Sequence, residues 1–314
     1  MLQEIIKPVN KDLLKRELTK SKFIRYTNNG SNEIYIVSSL DPDSSNIIQE
    51  IGRLREFTFR SAGGGTGMSV DLDDFDFGEN PYKQLIVWSP ADEEIVGGYR
   101  FIRCADASKD KNGEFLLATS HLFKFSKKFE NEFMPHTIEL GRSFVQPLYQ
   151  PATDQRKGLF SLDNIWDGLG AIVIDNPDIK YFFGKVTMYL NFNQKARDLI
   201  LYFLQKHFPD KDKLVTPHVY REIYTSKQEL DAIFCGQNYQ EDYKILVQNV
   251  RILNEHIPPL VNAYMNLSPS MLTFGTTLND QFGEVEETGI LVTISDIYDL
   301  KKERHLDSYK KSDK

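Results

Sequence analysis

The run Glu139-Leu-Gly-Arg-Ser-Phe-Val145 puts a carboxylate, a guanidinium and a hydroxyl close together in a β-rich stretch. In an extended strand Glu139 faces away from Ile138 and Leu140, so it can be partly buried. Burial raises a carboxyl pKa toward the working pH and suits it to act as a general base, directly or through water. An ion pair with Arg142 that fixes the sheet is the competing reading. Arg142 and Ser143 can orient an amine substrate or its carboxylate, because Arg offers a planar fork; a purely structural Arg is the alternative. Further on, Arg156-Lys-Gly158 precedes a helix that Ser161 can cap. A helix start with free N–H groups and two cations is a ready anion site, and a solvated loop is the alternative. A polar strand, a basic glycine loop, and a second helix opening near Asn193 together make the pattern of a transferase site.

Other chemistry-bearing stretches are weaker. In Ser61-Ala-Gly-Gly-Gly-Thr-Gly-Met68, neither frame completes a dinucleotide fingerprint, since Met68 or Val70 stands at the final glycine position. The stretch reads as a mobile loop on the substrate side. Asp71, Asp73, Asp74 and Asp76 can hold an ammonium group or a cation, but such runs are mostly solvated surface, and the match to a calcium loop is poor. The six His show no metal spacing, and Cys104 and Cys235 lie far apart, so no metal site or disulfide is expected and both cysteines read as buried.

These residues must be held by regular elements. Residues 11–19 can form a short helix, and Glu33-Ile-Tyr-Ile-Val37 reads as a first strand. Ser44 or Ser45 can cap a helix to about Arg60 with Ile47, Ile48, Ile51 and Leu54 on one face. Residues 83–88 and 94–103 read as an antiparallel hairpin, and 137–145 as the next strand. A helix after Ser161, a strand at 181–188 and a helix at 193–207 stopped by Pro209 follow. Residues 209–254 read as a helical insertion, with Tyr243, Leu246 and Val250 on one face. Strand character returns at 289–294, and the charged residues 301–314 read as a solvated, mobile tail.

Composition bounds the class. The chain has 314 residues, with 40% hydrophobic and 26% charged, enough for a sizeable core, and it reads as one elaborated domain. Lys and Arg number 38 against 45 Asp and Glu, a net charge of -7, which argues against general affinity for nucleic acid or anionic lipid. Residues 1–7 hold no apolar core of signal length and no run approaches a membrane span, so a cytoplasmic protein without a transmembrane segment is expected, with peripheral membrane contact left open.

The order of these pieces resembles the GNAT acyltransferase superfamily. Within it the chain is similar to the hemolysin-like N-acyltransferases, related to ornithine lipid-forming acyl-carrier enzymes and N-acyl glycine synthases. The resemblance rests on Arg53-Leu-Arg-Glu-Phe57, Asp71-Leu-Asp-Asp-Phe-Asp76, Ile95-Val-Gly-Gly-Tyr-Arg100, the 139–145 run, Ile165-Trp-Asp-Gly-Leu169, and Ile257-Pro-Pro-Leu-Val-Asn-Ala-Tyr264 followed by Phe274-Gly275. It spans roughly residues 45–295 and implies an α/β (α+β) fold. The central sheet would be mixed, mostly antiparallel and flanked by helices, with a core at about 33–208 and 255–298 and the insertion before the last strands. The implied reaction moves an acyl group, long-chain by the subfamily pattern, from an acyl-carrier-protein or coenzyme A thioester to the amine of an amino acid or small molecule. No covalent enzyme intermediate and no tightly bound cofactor are implied. Glu139, Arg142 and Ser143 would act at the reacting centre. The backbone of Phe144 and Val145 would take the pantetheine arm, while Arg156, Lys157, Gly158 and Asn193 would serve the donor. Gln155-Arg-Lys-Gly158 fits the family's phosphate loop, but Phe160 stands where a second small residue is usual. Tyr202 lies too far from Asn193 to carry over the family's tyrosine acid. Lys124, Lys127 and Lys128, with Arg156 and Lys157, could receive an acidic carrier protein. A short-chain acetyltransferase and a non-catalytic thioester-binding protein are the alternatives.

Overall fold

The computed structural model describes residues 2–150, 153 and 160–309. The chain divides into two compact units. The first comprises Met1–Ala118, Met134–Lys180 and Asp299–Lys314; the second comprises Thr119–Phe133 and Tyr181–Tyr298.

In the first unit, α1 (Lys11–Glu17) and α2 (Ser45–Ser61) accompany β1 (Phe23–Tyr26), β2 (Glu33–Val37), β3 (Lys83–Ser89), β4 (Glu94–Arg103) and β6 (Thr137–Val145). Neighbouring strands in the order β1-β2-β3-β4-β6 pair antiparallel. The turn-separated β-rich runs produce this meander, and β2 and β6 have the bounds their residue patterns predict. β1, only four residues long, carries no readable alternation.

α2 forms because Ile47, Ile48, Ile51 and Leu54 recur at helical spacing and are all buried. Its start departs from expectation. Ser44 makes no side-chain cap. Instead the Glu17 carboxylate from α1 accepts the N–H groups of Asn46 at 3.2 Å and Ile47 at 2.9 Å. A carboxylate there also opposes the positive end of the helix.

The glycine-rich segment after α2 is not the free loop its composition suggests. The buried Glu56 carboxylate accepts from Thr66 N at 2.9 Å, Thr66 Oγ1 at 2.7 Å and Gly67 N at 2.8 Å. Arg60 holds the same carboxylate at 2.6 Å. Glycine supplies the backbone freedom, and Glu56 removes it.

α3 (Ser161–Asp175) packs over β3 and β4 with Ile165, Leu169 and Ile172 buried. Ser161 is its first residue rather than its cap; the cap position is Phe160, without a side-chain cap bond. Residues 301–305, expected in a solvated tail, belong to a short helix at Asp299–His305 packed on α3. His305 is buried, and its Nδ1 lies 2.7 Å from Asp167. The approach is so close that a side chain at Gly170 would collide with the His305 carbonyl.

In the second unit, β7 (Tyr181–Met188), β9 (Leu272–Asn279) and β10 (Val285–Thr293) pair antiparallel in the order β7-β10-β9. β5 (Phe123–Phe125) and β8 (Val215–Pro217) form a separate ribbon. α4 (Gln194–His207) is capped by Asn193 and packs on α6 (Tyr239–Ile252), with α5 (Lys227–Ile233) before it in sequence and α7 (Pro259–Met265) after it. The expected helical insertion therefore has two helices, with an extended stretch and a strand ahead of them. Cys104 is buried as expected, but Cys235 is exposed. Among the described residues no helix is long and apolar enough to cross a membrane.

Candidate active site

β6 carries the polar run, and its pairing with β4 changes step inside that run. Gly98 lies opposite Phe144 and Arg100 opposite Gly141, so Arg142 and Ser143 together face Tyr99 alone. This is a β-bulge, a device that re-aims side chains and recurs beside active sites. Arg142 takes φ +48, a left-handed conformation costing a non-glycine residue about 1–2 kcal/mol. Gly97 lies so close to the Phe144 carbonyl that no Cβ would fit, which lets β4 lie flat against the bulged strand.

Charge fastens the bulge. Arg142 Nε lies 2.9 Å from Asp71 Oδ2, and Arg142 Nη2 lies 3.6 Å from Asp73 Oδ2. Arg55 of α2 reaches Asp71 at 3.3 Å and Asp76 at 3.0 Å. Arg100 reaches Asp73 at 2.6 Å and Asp76 at 3.1 Å. Three guanidiniums and three carboxylates thus compensate one another, with Gln84 donating to Asp76 at 2.9 Å. Burial alone pushes the Asp71 carboxyl up, but Arg142 and Arg55 outweigh it and hold it below the usual range. Asp76 is likewise pushed up by burial and held well down by Arg55 and Arg100.

Two members of the acidic run, Asp71 and Asp76, are therefore not solvated surface, being 0% exposed, while Asp73 is partly exposed and Asp74 is exposed. The Arg142 fork is engaged by Asp71 and Asp73.

Glu139 is 1% exposed. It lies on the same face of β6 as Gly141, and Tyr82 Oη donates a hydrogen bond to its Oε2. The same phenol oxygen accepts Ala118 N at 2.9 Å. Burial first, then the Glu139 charge, pushes the Tyr82 phenol well above its ordinary range, so it stays a donor. Two positions along from Glu139, a Cβ on Gly141 would meet nothing within 4 Å, so the strand borders open space there. Ser143 is partly exposed.

β6 thus brings Glu139, Arg142, Ser143, Phe144 and Val145 together, and the Val145 carbonyl accepts from Gln150 Nε2 at 2.7 Å. Arg156, Lys157 and Gly158 lie outside the described residues. Asn193 belongs to the second unit, where its side chain accepts Lys195 N at 3.0 Å and Ala196 N at 3.1 Å as the cap of α4. Tyr202 also lies there. Burial first, then its hydrogen bond to Asp231, pushes its phenol up to about 12. Lys127 pairs with Glu130 and Lys128 with Asp212, each at 2.6 Å, so these two are not a free basic patch. Sequence reasoning did not single out Tyr82, Arg55 or Arg100 as site residues. Only their place in the folded sheet and on α2 reveals them.

A mixed α/β chain with a mostly antiparallel sheet, flanking helices and a bulged polar strand has the make-up of a GNAT fold. Residues 54–154 match the family described as acetyltransferase (GNAT) domain. The chain is also 53% identical over 310 residues to a glycine N(alpha)-acyltransferase of Phocaeicola vulgatus, covering 99% of this chain and 94% of the relative. It is 54% identical over 308 residues to a glycine N(alpha)-acyltransferase of Bacteroides thetaiotaomicron, covering 98% and 91%. The chain belongs to the GNAT N-acyltransferase family and is an N-acyltransferase, taking its acyl group from a thioester donor.

Proposed function

We propose that this N-acyltransferase acylates the amine of glycine, with a long-chain acyl thioester as donor, by direct attack in a ternary complex. The acceptor follows from the two glycine-named relatives, which align over nearly the whole chain. The observation that carries the reaction geometry is the bulge at Arg142 and Ser143, next to the open space at Gly141, which itself lies two residues beyond Glu139.

In this reading the neutral amine attacks the thioester carbonyl carbon. The C–N bond forms, the C–S bond breaks, and the thiolate leaves with a proton. Glu139, fixed by Tyr82, takes the amine proton, directly or through water. Arg142 shapes the bulge through Asp71 and Asp73, and Ser143 offers a hydroxyl beside the reacting centre. The backbone at Phe144 and Val145 receives the pantetheine arm. Arg156, Lys157 and Gly158, just ahead of the uncapped start of α3, take the donor phosphate. Holding both substrates in register can lower the barrier by up to about 7–11 kcal/mol, so no enzyme nucleophile is required.

The test is incubation with C2 to C16 acyl groups on coenzyme A and on carrier protein, with a panel of amino acids, and mass spectrometry of the products. N-acylglycine from the longer donors is expected, and the donor arms separate the two carriers. No amide from any pair would contradict the reading.

A further inference from the structure

Gly141 stands just ahead of the bulge in β6, and neither backbone nor packing accounts for a glycine there. Gly30, Gly78 and Gly113 also border open space, but their φ values of +69, +95 and +81 favour glycine in any surroundings. Gly97 and Gly98 on β4 lack a positive φ, but a Cβ on either would lie 2.3 Å from a carbonyl oxygen, that of Phe144 or of Leu85. Gly141 has neither reason: its φ is not positive, and a Cβ there would meet nothing within 4 Å. The strain of the bulge falls on Arg142 instead. A glycine inside a strand weakens it, and away from a bend it marks close approach by a ligand or another backbone. No other backbone comes within 4 Å of that Cβ position, which leaves a ligand.

The place of this space fits one substrate. Gly141 and Glu139 are two residues apart on one face of β6, about 7 Å along the strand. Arg100 lies opposite Gly141 on β4, and so on the same face. Its guanidinium is drawn off to Asp73 and Asp76 and over the rings of Phe75 and Tyr82, 5.7 and 5.2 Å from their centroids. Arg100 thus walls the space without filling it. Beyond the bulge comes the backbone of Phe144 and Val145, which receives the pantetheine arm in the reaction proposed above. An amine over Gly141 therefore lies between the thioester and Glu139, within reach of that carboxylate through one water.

We propose, resting on that reaction, that Gly141 is the floor of the acceptor subsite. The amine and α-carbon of the incoming glycine pass over it to reach the thioester, and the side chain that Gly141 lacks is the room they occupy. Gly141 does no chemistry; it decides what fits between Glu139 and the donor.

Gly141→Ala and Gly141→Val in the full chain test this, since both residues suit a strand backbone and valine favours it. A glycine needed only for folding would show in urea unfolding, whereas here the midpoints of both variants should equal that of wild type or lie above it. With a palmitoyl thioester of the carrier that wild type uses, kcat/KM for glycine should fall at least tenfold in Gly141→Ala and further in Gly141→Val. A misplacement of about 1 Å at a reacting centre already costs on the order of a hundredfold. Binding of the same thioester, read by calorimetry, should stay within threefold. If Gly141→Val melts early, Gly141→Ala carries the comparison. Unchanged kcat/KM for glycine in Gly141→Ala, or thioester affinity falling in step with it, would overturn the assignment while leaving the proposed reaction standing. Wild-type protein that forms no N-acylglycine would instead contradict that reaction, and the glycine subsite with it, before any variant is compared.

Discussion

At the residue scale the account depends on how one buried carboxylate is held. Tyr82 Oη donates to Glu139 and accepts from Ala118 N, so it links the carboxylate to the segment after β4. Tyr82→Phe should lower kcat about tenfold with little change in donor KM, because the carboxylate loses its alignment rather than its charge. It should also cost about 1–3 kcal/mol of stability, since Ala118 N loses its buried acceptor. Steady-state kinetics and urea unfolding read the two effects separately. A kcat equal to wild type would show that the phenol does not position Glu139. Arg142 is the other pivotal residue, because its left-handed backbone is unfavourable alone and is offset by its pairs with Asp71 and Asp73.

At the element scale, α2, the 71–76 segment, β4 and β6 are joined by buried charge. Removing one partner from such a cluster typically costs about 3–5 kcal/mol, since the remaining charges stay buried without compensation. Asp71→Ala should therefore destabilise by about that amount, with Arg55 and Arg142 both left short. A loss under 1 kcal/mol in urea unfolding would mean that water replaces the carboxylate readily. The C-terminal helix gives a second test. Gly170→Ala places a methyl against the His305 carbonyl, so it should lower stability by about 1–3 kcal/mol and expose residues 299–309 to limited proteolysis. Unchanged protease resistance would show that the crossing adjusts without loss.

At the scale of the whole molecule, the charge cluster sets a pH dependence. Asp71 and Asp76 are both held below the usual carboxylate range when folded. Their stabilisation is then present above the unfolded value of about 3.9, and is lost as pH falls through their lower folded values. Urea-unfolding stability should drop as pH falls below about 4, less steeply in Asp71→Ala, and an equal slope would contradict this. Much of this architecture was legible from local pattern. The bounds of β6, β2 and β7 follow from β-rich runs between turn residues. β9 did not announce itself, because Thr-Phe-Gly-Thr-Thr mixes polar residues with a glycine at φ +90. Glu139 was readable as a candidate, but Tyr82 was not, since 57 residues separate them. Asp71 was misread as solvated because its partners Arg55 and Arg142 lie 16 and 71 residues away, and charge counted along the chain cannot show such pairing. The most direct test of the central claim compares N-acylglycine formation by wild type and Glu139→Gln with a long-chain acyl thioester, alongside donor binding. Turnover should fall about a hundredfold or more while donor affinity stays within threefold. Equal turnover in the variant would remove Glu139 as the base, and no N-acylglycine from wild type would contradict the proposed reaction itself.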